Sequence, residues 1–309
     1  MEEKKYDVII LGGGAAGMTA GIYLGRSKVN AVILDTATIG GQMVLTYEIA
    51  NYPGISSTTG YQLSSTMKKQ AKSFGCDVKA NVKISSLQLN GAEKSVVVEG
   101  GVVYKAPAII LATGGRSRML NVPGEKEFKG RGISYCATCD GDFFQDKNII
   151  VVGGGNSALE EAVALTKYAS KVTILHEFDH FQAFEHAVEA VKANPKIDFI
   201  MESHITEFSG DESLRKVKYK NLKTGEESEK AIDGVFIFIG YEANTDALKN
   251  TDVELNTRGE IVANEKMETN IPGVFAAGDC RAKQFRQITT AVADGTIAAL
   301  NTIGYINAG

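Results

Sequence analysis

The sequence predicts an α/β chain made of two Rossmann-like, three-layer dinucleotide-binding domains, the second inserted in the first, with small antiparallel sheets attached. Two observations carry this. One pattern, an apolar strand, a glycine loop, a helix and a second apolar strand, is written twice along the 309 residues. Each copy is followed at a distance by another apolar strand that ends in glycine.

The first copy starts with residues 6–11, a nearly continuous apolar run of the kind buried on both faces of a parallel sheet. Gly12-Gly13-Gly14-Ala15-Ala16-Gly17 follows, then a helical stretch to about Ser27 and a strand over Val32–Asp35. The second copy has a strand at Asn148–Val152 and a loop, Gly153-Gly154-Gly155-Asn156-Ser157-Ala158. Leu159, Ala162, Val163 and Thr166 then share one helical face, and Val172–Leu175 is the next strand. The glycine-ended strands are Ala108–Gly114 and Val235–Gly240. Ser95–Glu99 and Val102–Lys105 flank a Gly100-Gly101 turn, and Val217–Lys220 precedes a Thr224-Gly225 turn, so both read as antiparallel pieces. This layout places one domain at residues 1–114 and 245–309 and the inserted one at 115–244. Pro123-Gly124 and Gly240 are the linker candidates.

Composition narrows the function. A chain of this length can bury two ordinary cores without staples. A net charge of −4 argues against a molecule built to bind nucleic acid. The charged start, Glu2-Glu3-Lys4-Lys5, does not read as a signal peptide, and no apolar run is long enough to span a membrane. The expected location is the cytoplasm. Four cysteines in a reducing compartment point away from structural disulfides. Cys76 and Cys280 are single and read as small buried residues.

The motifs are specific. In the first loop, Gly12 allows the tight turn, Gly14 lets backbone approach a pyrophosphate, and Gly17 lets helix pack on strand. The phosphates would lie at a helix N-terminus. Asp35, at the end of the second strand, is placed to bond a ribose hydroxyl. Cys136-Ala137-Thr138-Cys139 has no second ligand pair at metal spacing, so no metal site is expected and redox chemistry is the reading. A helix start after it would favour the thiolate. Asp140 is placed either to shuttle a proton or to cap the turn that follows.

The stretches Pro123-Gly124-Glu125, Gly130-Arg131-Gly132 and Ser134-Tyr135-Cys136-Ala137-Thr138-Cys139-Asp140-Gly141 resemble the active-site region of low-molecular-weight bacterial thioredoxin reductases. The likeness runs along essentially the whole chain. Gly40-Gly41-Gln42, Asn51-Tyr52-Pro53-Gly54, Ala112-Thr113-Gly114, Gly278-Asp279 and Arg286-Gln287-Ile288 match flavin-contacting segments of that family. The resemblance implies FAD in the first fold, in contact with Ala15 and Ala16 as well as the loop glycines. It implies that Cys139 is the flavin-proximal sulfur, Cys136 the interchange thiol and Asp140 the acid–base group. It also implies thioredoxin as disulfide substrate and a homodimer.

The second loop departs from the family. NADPH-using members end the strand behind this loop in His-Arg-Arg-Asp-x-Phe-Arg; here the stretch reads His176-Glu177-Phe178-Asp179-His180-Phe181-Gln182. Gly153, Gly155 and Ala158 remain, but Glu177, Phe178 and Gln182 replace the three arginines that would grip a 2′-phosphate. Each charge-assisted bond lost costs about 1.5–3 kcal/mol, so NADPH use is expected to be poor. Four readings stay open. The sequence is similar to clostridial flavin thioredoxin reductases that take electrons from reduced ferredoxin, in which case Phe178, Phe181 and Phe184 would fill the vacated pocket. NADH would instead use Glu177 on a free ribose hydroxyl. A dithiol oxidase would pass electrons to oxygen. A non-catalytic flavin-binding protein would do none of these. Lys126, Lys129, Arg131, Arg116 and Arg118 are the basic candidates for docking a donor.

Overall fold

A computed structural model describes residues 2–46 and 49–308. The chain divides into two compact units, Met1–Arg116 with Glu242–Gly309, and Ser117–Tyr241.

The first unit is organised by a five-stranded parallel sheet. Val8–Leu11 lies between Ala31–Leu34 and Ala108–Leu111; Val274–Ala276 and Asp77–Lys79 are the edges. Its central strands are β-branched and leucine runs buried on both faces, as crossover connections require. Helices Ala15–Arg26, Gly60–Ser73 and Ile288–Ala308 contribute to the apolar layer on one face. A four-stranded sheet covers the other, with Val96, Val98 and Tyr104 directed into the shared core. Within it, Lys94–Val98 and Val102–Ala106 pair antiparallel across the expected turn.

The second unit repeats the plan. Asn148–Val152 is flanked by Lys171–Leu175 and Gly234–Ile237, with Ile133–Ser134 and Ile197–Ile200 outside them, all parallel. Helices Asn156–Leu165 and Glu185–Ala193 cover one face. A three-stranded antiparallel sheet, Ser203–Gly210, Leu214–Asn221 and Glu227–Ala231, covers the other through Ile205, Phe208, Leu214 and Val217. These are the three-layer domains expected.

Three details differ from the sequence reading. The first strand is Val8–Leu11 rather than residues 6–11. The charged tetrapeptide Glu2–Lys5 forms a strand of its own, at the edge of the four-stranded sheet beside Val102–Ala106. Hydrophobic periodicity could not find it, because edge strands are often blunted by charge; Glu3 pairs with Lys105 at 2.8 Å. Pro123-Gly124 is not a linker. It packs inside the second unit, where the Phe208 amide donates to the Pro123 carbonyl and the Gly124 α-carbon abuts the Phe208 backbone. Among the described residues, no helix is long and apolar enough to cross a membrane.

Candidate active site

Cys136 and Cys139 form a disulfide, with Cα atoms 5.3 Å apart. Cys136 is extended and serves as N-cap of the short helix Ala137–Asp140; its sulfur accepts from the Cys139 amide at 3.2 Å. An amide directed at that sulfur favours a thiolate there once the bond opens. The helix places Asp140 one turn from Cys136, with its own amide on the Cys136 carbonyl at 3.1 Å.

The Asp140 side chain does not cap the following turn, so the capping alternative drops out. Its Oδ2 accepts from the Ser134 hydroxyl at 2.6 Å, and the Ser134 oxygen in turn accepts from the Cys136 amide at 3.1 Å. Burial pushes the Asp140 pKa above the usual carboxylate value, against the opposing pull of the Ser134 hydrogen bond. A partly buried carboxyl whose hold on its proton is strengthened, one helical turn from Cys136, is suited to supply a proton. Ser134 was quoted in the motif but its role was invisible there: two residues of strand before a cysteine do not announce a bond to a carboxylate six positions on.

In the first unit, Gly12–Gly17 turns from strand Val8–Leu11 into helix Ala15–Arg26. Gly12 has φ +107°, and a Cβ on Gly17 would collide with the Gly12 carbonyl oxygen. Gly14 is different: its α-carbon faces open space, and as N-cap it leaves the first helical amides without a side-chain acceptor. That is a cradle suited to an anion. Asp35 reaches back to it, accepting from the Gly13 amide at 2.6 Å and the Ala37 amide at 2.8 Å.

The structure brings several distant segments to this cradle. The Gly40 amide donates to the Gly13 carbonyl, the α-carbon of Gly41 faces that of Gly14, and Gln42 follows, exposed. Ala112 and Thr113 abut Gly12, and Gly278 lies against Ala16. Gly114 accepts from the Asn244 amide. Asn51 donates to Gln287 at 3.4 Å, directly before Ile288 at the start of the last helix. Sequence reasoning missed the supports of this set. Asp294 accepts from the Gly278 amide at 3.0 Å and pairs with Lys283 at 2.8 Å, Lys283 also faces Asp279 at 4.0 Å, and buried Glu260 pairs with Arg286. The helix N-terminus, which has no side-chain cap, and the ribose-type acid fit the diphosphate and ribose of FAD.

The second loop, Gly153–Ala158, makes the same turn into helix Asn156–Leu165. The His176 ring packs directly on Gly154, with Phe178 edge-on at 5.2 Å and Phe181 stacked at 5.9 Å. Burial lowers the His176 pKa, with Glu177 opposing. The segment then crosses the loop: the Gln182 amide donates to the Gly154 carbonyl, and the Phe184 amide to Asn156 Oδ1 at 2.7 Å. Glu177 is exposed at the strand end. Of the three phenylalanines expected to fill the space, only Phe181 joins the core; Phe178 is 40% exposed, and Phe184, at 65%, faces away onto His186. Several basic docking candidates are engaged locally: Arg131 holds the Glu127 and Glu212 carbonyls, Lys129 lies over the Tyr135 ring, and Arg116 pairs with Glu242.

Residues 6–295 match the family described as pyridine nucleotide-disulphide oxidoreductase. Among individual proteins, the chain is 45% identical over 306 residues to a thioredoxin reductase of Listeria monocytogenes, covering 99% of this chain and 95% of that one. It is 43% identical over 305 residues to a 34.2 kDa protein in a rubredoxin operon of Clostridium pasteurianum, covering 99% and 98%. The crystal structure of thioredoxin reductase from Streptococcus pyogenes superposes with a TM-score of 0.94 at 40% identity, covering 99% of each chain.

Proposed function

The chain belongs to the pyridine nucleotide-disulphide oxidoreductase family, in its thioredoxin reductase branch, and from that membership we propose that it reduces the disulfide of thioredoxin through Cys136 and Cys139, drawing electrons from reduced ferredoxin rather than from NADPH. The observation that carries the disulfide chemistry is the Cys136–Cys139 bond at a helix start, with a partly buried Asp140, its pKa raised by burial, tied to the same loop through Ser134.

The family's cofactor is FAD. Gly12, Gly14, Gly17 and Asp35 would hold its diphosphate and ribose, and Gly278, Asp279, Asn51, Arg286 and Gln287 the rest. Bound FAD supplies a store that accepts electrons singly and releases them as a pair. Two electrons and two protons convert the Cys136–Cys139 disulfide to a dithiol. The Cys136 thiolate, favoured by the Cys139 amide, then attacks one sulfur of the partner disulfide; a mixed disulfide forms and the partner's other sulfur leaves as a thiolate, which Asp140 protonates. Asp140 is reprotonated by the proton that Cys136 gave up; Cys139 then loses its own proton and attacks the mixed disulfide at Cys136, and the partner's second sulfur leaves and takes up that proton, so that reduced thioredoxin is released and the internal bond restored. The working form is read as a homodimer.

The donor assignment rests on the Glu177-Phe178 replacement, which sets a carboxylate and a phenyl ring where a 2′-phosphate needs guanidinium. NADH is the second reading, favoured by the retained glycine turn and the exposed Glu177 beside it. Anaerobic mixing with reduced ferredoxin, NADH and NADPH in turn, followed by flavin absorbance, separates them: ferredoxin should bleach the flavin rapidly and NADPH should not. Rapid bleaching by NADPH sinks the donor assignment. Cys136→Ser and Cys139→Ser should each abolish thioredoxin reduction while FAD stays bound; full turnover by either variant sinks the disulfide chemistry.

A further inference from the structure

Glu125 is fully buried, at 0% exposure, in a four-residue helix that contributes nothing to the reaction above. Its carboxylate is nevertheless completely engaged. Oε1 accepts from the Leu120 amide at 2.9 Å and from the Tyr135 hydroxyl at 2.8 Å, and Oε2 accepts from the Asn121 amide at 2.6 Å. Asn121 is one of few non-glycine residues at positive φ, +59°. Tyr135 is held on its face as well, by Lys129 Nζ 5.0 Å from the ring centroid. Burying a carboxylate is expensive unless it is bonded, so this arrangement calls for a reason.

The reason lies one residue further on. Tyr135 is joined by one peptide bond to Cys136, and its other neighbour, Ser134, bonds both Asp140 and the Cys136 amide. The backbone of Cys136 is thereby fixed from both sides before the helix Ala137–Asp140 begins. We propose that Glu125 and Tyr135 form a clamp that positions Cys136, raising the effective concentration of its sulfur toward Cys139 and so stabilising the disulfide against the dithiol. The effect is one of preorganisation: holding two groups in the geometry of their product removes entropy that closure would otherwise lose. Tyr135 and Glu125 touch neither sulfur; they are positioning residues. The clamp also keeps the phenol protonated, since burial and then the Glu125 bond raise the Tyr135 pKa far above its ordinary value.

The proposal rests on Cys136/Cys139 being the redox pair, and the test distinguishes the two. Tyr135→Phe keeps the ring and its cation contact but removes the donor; Glu125→Asp keeps the charge but withdraws it by one methylene. Each holoenzyme is equilibrated anaerobically in buffers of reduced and oxidised dithiothreitol, in which the disulfide gains two electrons and two protons as dithiothreitol closes to its ring. Samples are quenched with acid and alkylated, and the peptide carrying Cys136 and Cys139 is counted by mass; flavin absorbance is read separately. Both variants should shift the equilibrium toward the dithiol by about three- to tenfold, the upper end being about 30 mV for a two-electron couple. A merely structural role would lower the melting temperature and leave this equilibrium alone. If the pair exchanges but both variants share the wild-type midpoint, the clamp is wrong. If the wild-type pair never exchanges with dithiothreitol, the reading beneath it falls as well.

Discussion

The two glycine loops share a backbone and differ in what is laid upon it. Gly12 and Gly153 both have positive φ, +107° and +134°, and both donate to the last residue of the neighbouring strand, Leu34 at 2.8 Å and Leu175 at 3.1 Å. Gly14 and Gly155 are equivalent N-caps without side-chain acceptors, at φ −77° and −88°. A later segment crosses each loop by the same bond, Gly40 to the Gly13 carbonyl and Gln182 to the Gly154 carbonyl, both 2.8 Å. Side chains make the difference. After the second strand, one unit has Asp35, accepting from the loop, and the other His176, an aromatic lid on the loop. The crossing segment is Gly40-Gly41 in one and Gln182-Ala183-Phe184 in the other, tied down by Asn156. A glycine loop is therefore the fold's own way of turning strand into helix, the same in both units. Ligand chemistry is set by the few side chains around it.

The sharpest break of this comparison sets Gly17→Ala against Gly155→Ala. The added methyl at position 17 meets the Gly12 carbonyl, so overpacking of about 1–3 kcal/mol or more falls on the turn proposed to cradle FAD. Purified Gly17→Ala protein should be colourless or lose flavin on a desalting column. At Gly155 the nearest atom to an added methyl is the Gln182 carbonyl oxygen at 3.9 Å, an ordinary contact. That variant should keep its flavin, and its turnover with the proposed donor, reduced ferredoxin, should stay within about twofold. Collapse of turnover with NADH in Gly155→Ala, while turnover with ferredoxin holds, would mean the second loop still works on a dinucleotide.

The second unit also carries the redox pair, and Asp140 measures that chemistry. Asp140→Asn should lower thioredoxin reduction by about a hundredfold, the usual worth of a positioned acid. Because burial raises the Asp140 pKa in the folded state, its protonated form persists above the usual carboxylate range, and wild-type turnover should fall as pH rises through that raised value. The variant should lack this limb. Linkage gives a second reading with its own sign: stability tied to a raised carboxyl pKa is fully present below the unfolded value and lost as pH rises through the folded one. Asp140→Asn should thus melt higher than wild type at alkaline pH and no higher under acid. A pH–rate profile with the same limb in both proteins would remove Asp140 from the chemistry.

A third experiment tries to make the second loop resemble its NADPH-using relatives. Glu177→Arg with Phe178→Arg removes a carboxylate and adds two guanidinium groups at exposed positions. With solvent screening taken into account, kcat/KM for NADPH should rise by about ten- to a hundredfold. No gain at all would show that the two missing charges at 177 and 178 are not enough, and that Gln182, in place of the third arginine, also has to change.

The fold was legible because burial on both faces forces near-continuous apolar runs such as Ile9-Ile10-Leu11 and Ile149-Ile150-Val151, and glycine must follow where strand turns into helix. What stayed hidden was polar. Glu2–Lys5 forms a strand through backbone pairing alone, and its side chains carry no apolar period. In the candidate site, Cys136, Cys139 and Asp140 lie within five residues, so spacing reveals them as a group. The Ser134 bond to Asp140, the Asp294 bond to Gly278 and the Glu260 pairing with Arg286 depend on where separate segments meet. No local pattern encodes such meetings. The aromatic filling of the second loop was legible in composition but not in direction: Phe181 turns inward and Phe184 outward.

The smallest effect falls on the strap over the second loop. Asn156→Ala removes the acceptor for the Phe184 amide while leaving the Gln182 bond to the Gly154 carbonyl in place. One exposed hydrogen bond is worth about 1 kcal/mol, which lowers the melting temperature of a domain this size by about 2–4 °C. Turnover with ferredoxin should not move, because the strap and the Cys136 loop are separate features of the same unit. Turnover with NADH is the informative control. If residues 182–184 merely close a disused turn, loosening them changes nothing there. If they hold Glu177 in place for a ribose, KM for NADH should rise in the variant while the ferredoxin rate stays constant, and the two loops would then be alike in use as well as in backbone.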